Sequence, residues 1–392
     1  STQKIQFYES QGMDLRPSMK FRDFNAWYHI VVSIDTAQAT AANRAKIYVN
    51  GVQQTVFDTE TYPAQNADLH FNKSGTHEFG GSSAYGGYDY FNGLLSHIHF
   101  TDGYAYAASD FGSTDSTTGE WKINTSPSVS YGTTGFWILK DGNSLTDQST
   151  NSNDFTVSTG TLTKTEDNPS NVFATWNPLY KNNSTFSNGN TTTASGSSGE
   201  FNSASTLGMS SGKWYMEFKR VSGNYPIFGI VDDIALAEYS NANMGLGKTG
   251  TTKSIGLRLN DGKTRVNNVV TTQGGSIANG DIVGVAVDKT TNKIYFSKNG
   301  QWSNGSGAWD STTFNASTGA TDVSSILTGG TWFFACGTDT GEASNTFSAN
   351  FGNGYFGTTA VSSAGTNASD NGIFEYDVPS GFTALSTKGL NL

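Results

Sequence analysis

The sequence predicts an all-β protein made of two jelly-roll β-sandwiches in tandem. Three observations carry the prediction: a short phrase written twice, strand-like runs separated by turn residues along the whole chain, and a composition poor in charge. The phrase is Lys46-Ile-Tyr-Val-Asn-Gly51 and, far downstream, Lys293-Ile-Tyr-Phe-Ser-Lys-Asn-Gly300. In both, an alternating run leads into Asn-Gly, the strongest short hairpin signal because a type I′ turn needs positive φ at both central residues. Each copy follows a β-branched and aromatic stretch that ends at an aspartate, Trp27 to Asp35 and Gly280 to Asp288. The repeated unit is therefore strand, polar turn, strand, Asn-Gly turn, strand. The copies lie too far apart for a solenoid or propeller period, which points to two domains of like architecture.

Further strands are expected at Phe91 to Phe100, Gly135 to Leu139, Lys213 to Lys219, Ile227 to Val231, Ser254 to Leu259 and Asn345 to Phe351. Gly, Asn and Ser turns separate them, as in a sandwich or jelly roll. Helical signals are short, at Tyr104 to Asp110 and Asp233 to Tyr239. A polar, Pro-punctuated region over 135–178 reads as the connection between a first domain, 1–134, and a second, 179–392.

The 392 residues suffice for two cores. Only 14% are charged, against about 25% in ordinary domains. A net charge of −10 with no basic stretch argues against a nucleic-acid partner, which would require a cationic stripe. The single cysteine, Cys336, sits in an apolar run and reads as a small core residue, so no intrachain disulfide forms. No apolar run approaches the roughly 18 residues that span a bilayer, and no membrane insertion is expected. The chain starts at Ser1 without a methionine and reads as a segment of a longer polypeptide.

Catalytic constellations are not apparent. A retaining glycosidase needs two carboxylates about 5 Å apart on one face. Glu217 stands alone on its strand, and Asp232 and Asp233 are neighbours that point to opposite faces. His97 and His99 share a strand face without a third ligand at a diagnostic spacing. No enzyme is expected. Calcium is the one cofactor the residues raise: Asp141, Asn143, Asp147 and Asp154 gather hard oxygen ligands in one loop, although ordinary Asx turns account for the same residues. For sugar stacking, Tyr85, Tyr88 and Tyr90, together with Trp302 and Trp309, lie beside Gly- and Asn-rich turns, though most aromatics must fill cores.

Trp27 to Val32, Lys46 to Gly51, His77 to Gly81 and Tyr90 to Phe100 resemble the later half of a laminin-G-like, concanavalin-A-type domain. Ser211 to Phe218, Phe228 to Val231, Gly280 to Asp288, Lys293 to Gly300 and Phe347 to Gly352 resemble a SPRY domain, another concanavalin-like sandwich, in the family's order. In such domains end loops form the partner surface, which implies Asp232 and Asp233 as contact residues. The tandem order is similar to virion proteins of tailed phages, marine ones especially. That resemblance implies a virion location in a tail fibre or capsid-attached appendage, other virion proteins as partners, host-surface glycan or protein contact, and a homo-oligomer. The rival readings are a glycan-degrading virion enzyme and a cellular SPRY adaptor that binds a peptide.

Overall fold

The computed structural model describes residues 3–23, 26–81, 90–91, 93–117, 119–140, 144–160, 162–195, 202–233, 245–248, 253–338 and 345–391. It divides the chain into two compact units, Ser1–Lys164 and Thr165–Leu392. Both are built mainly of antiparallel β-sheet, and the helical elements described in full are three short 3-10 turns.

In the first unit the strands Met13–Pro17 and Ala45–Val49 both bury every second residue, the signature of a strand with one face to a core. Met13 and Leu15 of one meet Ala45 and Ile47 of the other, so two three-stranded sheets close on each other. The first sheet holds Phe7–Glu9, Met13–Pro17 and Phe57–Thr61; the second holds Ile30–Ile34, Ala45–Val49 and Val52–Gln53. The expected helix at Tyr104 to Asp110 reduces to one 3-10 turn, Ala108–Asp110, fixed by the Ala107 N–H donating to the Asp110 carboxylate at 2.8 Å. The other expected helix lies, beyond Asp233, outside the described residues.

The region expected to connect the domains belongs to both of them. Phe136–Ile138 pairs with Ile98–Phe100, and Phe136, Ile138 and Leu139 form a small core against Phe155, so residues 135–164 complete the first unit. Phe173, Ala174 and Trp176 lie in the main core of the second. Pro169 and its Asn and Asp neighbours are turn residues between short paired segments, whereas Asn177 and Pro178 lie in the strand Trp176–Asn182.

The second unit is a two-sheet sandwich. One sheet runs, in spatial order, Trp176–Asn182, Asn202–Ser205, Trp332–Thr338, Pro226–Asp232, Ser254–Arg258, Lys263–Val266 and Val269–Thr272. The facing sheet runs Ser184–Ser187, Thr192–Ser195, Thr346–Asn350, Lys213–Ser222, Ile282–Asp288, Lys293–Lys298, Gln301–Ser303 and Trp309–Ser311. Central strands are buried along their whole length, which is why Pro226–Asp232 and Ile282–Asp288 read as nearly continuous apolar runs. Phe218 of one sheet stacks on Phe228 of the other at 3.9 Å between centroids.

The repeated phrase is the same device in both units. Ile30–Ile34, Ala45–Val49 and Val52–Gln53 form one three-stranded meander; Ile282–Asp288, Lys293–Lys298 and Gln301–Ser303 form the other. Asn50 and Asn299 have φ of 47° and 49°, followed by Gly51 at 78° and Gly300 at 77°. Each asparagine also closes the meander. The Asn50 N–H donates to the His29 carbonyl at 2.9 Å while its Oδ1 accepts the His29 N–H at 2.8 Å. Asn299 makes the same pair with Ile282, at 2.8 and 2.8 Å. An aromatic ring lies over each glycine, Trp121 on Gly51 and Tyr376 on Gly300, leaving no room for a β-carbon.

Candidate functional site

The described surface has an open depression of about 560 Å³ on the second unit, lined by Asn304, Ser311, Thr313, Phe314, Asn315, Ala316 and Thr318. Its floor follows from the strand pair Gln301–Ser303 and Trp309–Ser311. Trp302, on the first strand, turns inward and is buried against Phe314 at 5.0 Å and Tyr215 at 6.4 Å. Phe314 also packs edge-on to Tyr295 and Phe382, so its ring is a fixed wall. The loop between the strands is held by Asn304, whose Oδ1 accepts the Ser306 and Ala308 N–H groups and whose amide donates to Asp310 at 2.9 Å. The Tyr295 hydroxyl donates to the Ala316 carbonyl at 3.1 Å and pins the far rim. Hydroxyls and amides around one ring, with no ionised side chain in the lining, suit an uncharged, hydroxyl-rich ligand, and the size falls in the range of small-molecule sites.

The residues singled out from sequence fall in different places. Trp309 lies at the edge of this region, half-buried, with its ring over Gly274 and its Nε1–H donating to the Gly275 carbonyl at 2.7 Å. Trp302 is a core residue, since the alternation of its strand turns it inward. Tyr90 is exposed, while Tyr85 and Tyr88 lie outside the described residues.

Asp232 and Asp233 differ in burial, Asp232 fully buried and Asp233 exposed, but they do not point apart as expected: both carboxylates converge on Gly329 and leave no room for a β-carbon there. Asp232 accepts the Gly329 N–H at 2.8 Å and Asp233 the Thr331 N–H at 3.2 Å, so the pair clasps the loop before Trp332–Thr338. Lys289 completes the clasp. Its ammonium lies 3.9 Å over the Trp332 ring; burial lowers its pKa, and the fields of Asp233 and Asp232 work in the opposite direction.

Of the calcium set, Asp141 and Asn143 lie outside the described residues. Asp147 is nearly buried and its oxygens are occupied by its own chain: the Trp137 and Ser149 N–H groups, both at 2.8 Å, the Ser149 hydroxyl at 2.7 Å and the Asn153 N–H at 2.9 Å. Burial opposes its ionisation, yet these donors prevail and hold the carboxyl below its ordinary value. Asp154 accepts the Asp147 N–H at 2.8 Å. These two residues act as turn hubs. Among the described residues no group of three His, Cys, Asp or Glu side chains is arranged around a metal position.

His99 stacks on Trp137 at 5.0 Å and accepts or donates to the Tyr131 hydroxyl at 2.8 Å; burial, with smaller effects of His97 and His29, pulls its pKa down to about 4. It is therefore a neutral packing residue at physiological pH. Glu217 is fully buried and accepts the Glu375 and Tyr376 N–H groups at 2.7 and 2.8 Å and the Tyr215 hydroxyl at 3.1 Å. It ties the C-terminal segment onto its strand. Sequence reasoning missed the depression itself; the signal was a run of Ser, Thr and Asn around a single aromatic at 311–318.

A family model agrees with the architecture of the first part of the chain. Residues 1–110 match the laminin G model of the concanavalin A-like lectin/glucanases superfamily. Among solved structures the chain is similar to the SPRY domain of human HERC1, at 15% identity and a TM-score of 0.33, covering 44% of this chain and 96% of that domain. No curated protein matches. The chain is thus all-β with a concanavalin-like first part, and a fold of this kind is compatible with binding.

Proposed function

We propose that this chain is a non-enzymatic binding and structural protein, working as an adhesive part of a tailed-phage particle, in a tail fibre or a capsid-attached appendage. The observation that carries the binding reading is the uncharged depression around Phe314, whose Ser, Thr and Asn lining suits a neutral host-surface glycan. The non-enzymatic reading is supported by Glu217 and Asp147, whose carboxylates are spent on main-chain donors of the protein itself. The virion location rests on the resemblance of the tandem order to phage appendage proteins.

A glycan array with the intact chain and a Thr313→Arg variant tests the binding reading. Retention of neutral oligosaccharides by the wild type, lost at least tenfold in the variant, is the expected result. No retention, or retention unchanged in the variant, sinks it. Mass spectrometry of purified particles tests the location, and absence of the chain from them overturns that part.

A further inference from the structure

The strand Val269–Thr272 ends the seven-stranded sheet of the second unit and is exposed at every position. Val269 is 68% and Val270 43% exposed, which is unusual for adjacent β-branched residues on a strand. Its inner neighbour is Lys263–Val266, with Val266 opposite Val269 and Thr264 opposite Thr271. The two are joined by Asn267 and Asn268, at φ of 45° and 63°, a two-residue type I′ turn. In such a hairpin the residues flanking the turn form a hydrogen-bonded pair, and bonded and non-bonded pairs then alternate. The backbone groups of Val269 and Thr271 therefore face inward, and those of Val270 and Thr272 face out from the sheet. The Thr264 hydroxyl, donating to the Thr271 carbonyl at 3.2 Å, fits that parity.

We propose that this edge is where two copies of the chain join, their Val269–Thr272 strands pairing antiparallel about a two-fold axis. Three features of the strand favour a second copy as the occupant. Its outward groups are self-complementary: with Thr271 on the axis, Val270 of one copy stands opposite Thr272 of the other, and each such pair exchanges both backbone hydrogen bonds. Its side chains match, since two threonines meet at the centre and a valine meets a threonine on either side. Its charge permits approach. From Val266 to Gly280 the chain carries no ionisable residue, in a protein whose net charge of −10 otherwise repels its own copies. The devices that blunt an edge, a lysine or a proline within the strand, are missing from Val269–Thr272.

A pairing of this length is small beside the roughly 1,200 Å² of a stable interface, so alone it is weak and gains when copies are tethered. The inference does not depend on where the chain works. Sedimentation equilibrium of the intact chain from about 10 μM to about 1 mM reads it directly. The expected result is a monomer–dimer equilibrium, weakened at least tenfold by Thr272→Pro, which removes an outward N–H and leaves the inner ladder intact. Thr271→Lys sets two like charges together at the axis and is expected to weaken the dimer in a way that salt partly restores. Amide exchange supplies a readout independent of variant folding: protection at Val270 and Thr272 rises with concentration while that at Val269 and Thr271 does not. A monomer throughout, association insensitive to both variants, or concentration-dependent protection elsewhere overturns the proposal. A monomer that instead takes up a β-strand peptide at this edge overturns the second copy as occupant.

Discussion

Replacing Glu217 by glutamine changes the pH dependence of stability in a direction the structure fixes. Burial is the largest influence on this carboxyl and raises its pKa; the Glu375 and Tyr376 N–H groups and the Tyr215 hydroxyl oppose it, and the balance stands at about 7 against an ordinary 4.5. A carboxyl whose pKa rises on folding contributes stability that is complete below the unfolded value and is lost as pH climbs through the folded one. At 1.36 kcal/mol per pH unit, the interval amounts to about 3 kcal/mol lost between pH 4.5 and pH 7. Glutamine does not titrate. Urea unfolding of wild type and Glu217→Gln at pH 5 and pH 8 isolates the effect, because every other titrating group cancels in the difference. The wild type is expected to lose about 2 to 3 kcal/mol relative to the variant over that range. A flat difference, or a wild type that gains with pH, would mean that the backbone donors win and the carboxylate is ionised throughout.

Other predictions follow from the same geometry. Asn299→Ala leaves the Ile282 N–H without its acceptor and puts at positive φ a residue without asparagine's tolerance of that region, at a cost of about 2 kcal/mol, whereas Asn299→Gly loses the acceptor but fits the backbone and costs about 1 kcal/mol; thermal melts of the two variants give the order. Asp147 has a lowered pKa, so its contribution is present above pH 3.8 and fades as pH falls through the folded value; Asp147→Asn is expected to flatten the acid limb of the first unit's unfolding curve. Because the oxygens of Asp147 are already filled by its own turn, millimolar calcium is expected to leave the melting temperature unchanged, and a rise of several degrees would contradict that. Cys336 is fully buried and burial pushes its thiol well up, so a thiol reagent is expected to label it only upon unfolding.

The fold was legible in the sequence wherever one residue type has one physical use. Asn50-Gly51 and Asn299-Gly300 declared two hairpins because few other pairs tolerate positive φ in succession. The buried runs at Pro226–Asp232 and Ile282–Asp288 declared central strands. What escaped was whatever depends on partners distant in the chain. The side-chain caps of Asn50 and Asn299 need the start of a strand some twenty residues earlier to be in reach. Trp302 looked like a loop aromatic because it follows a glycine turn, and only the parity of its strand against Phe314 turns it inward. Residues 135–178 looked like linker because their hydrogen bonds run from side chains to main chain, which composition does not distinguish from disorder.

The carboxylates bear most directly on catalysis, since a concanavalin-like sandwich that cleaves glycans must present two of them, unengaged, to one cleft. Several of the described carboxylates are engaged by the protein's own donors. Asp35 and Asp288, the aspartates that end the two matching strands, each cap the polar turn that follows: Asp35 accepts the Ala37 N–H at 3.1 Å, and Asp288 accepts those of Thr290 and Thr291 at 3.0 and 3.1 Å. Asp281 takes the Asn299 amide at 2.8 Å and the Lys298 ammonium at 3.0 Å. A carboxylate already saturated by two or three donors is a poor base and a poor nucleophile, because attack must first break those bonds. Alanine at Asp281 or Asp288 is therefore expected to lower the melting temperature of the second unit while leaving any glycan retention at the Phe314 depression intact once the protein is folded. If either change removed a hydrolytic activity and spared stability, the scaffolding role assigned to these aspartates would be wrong.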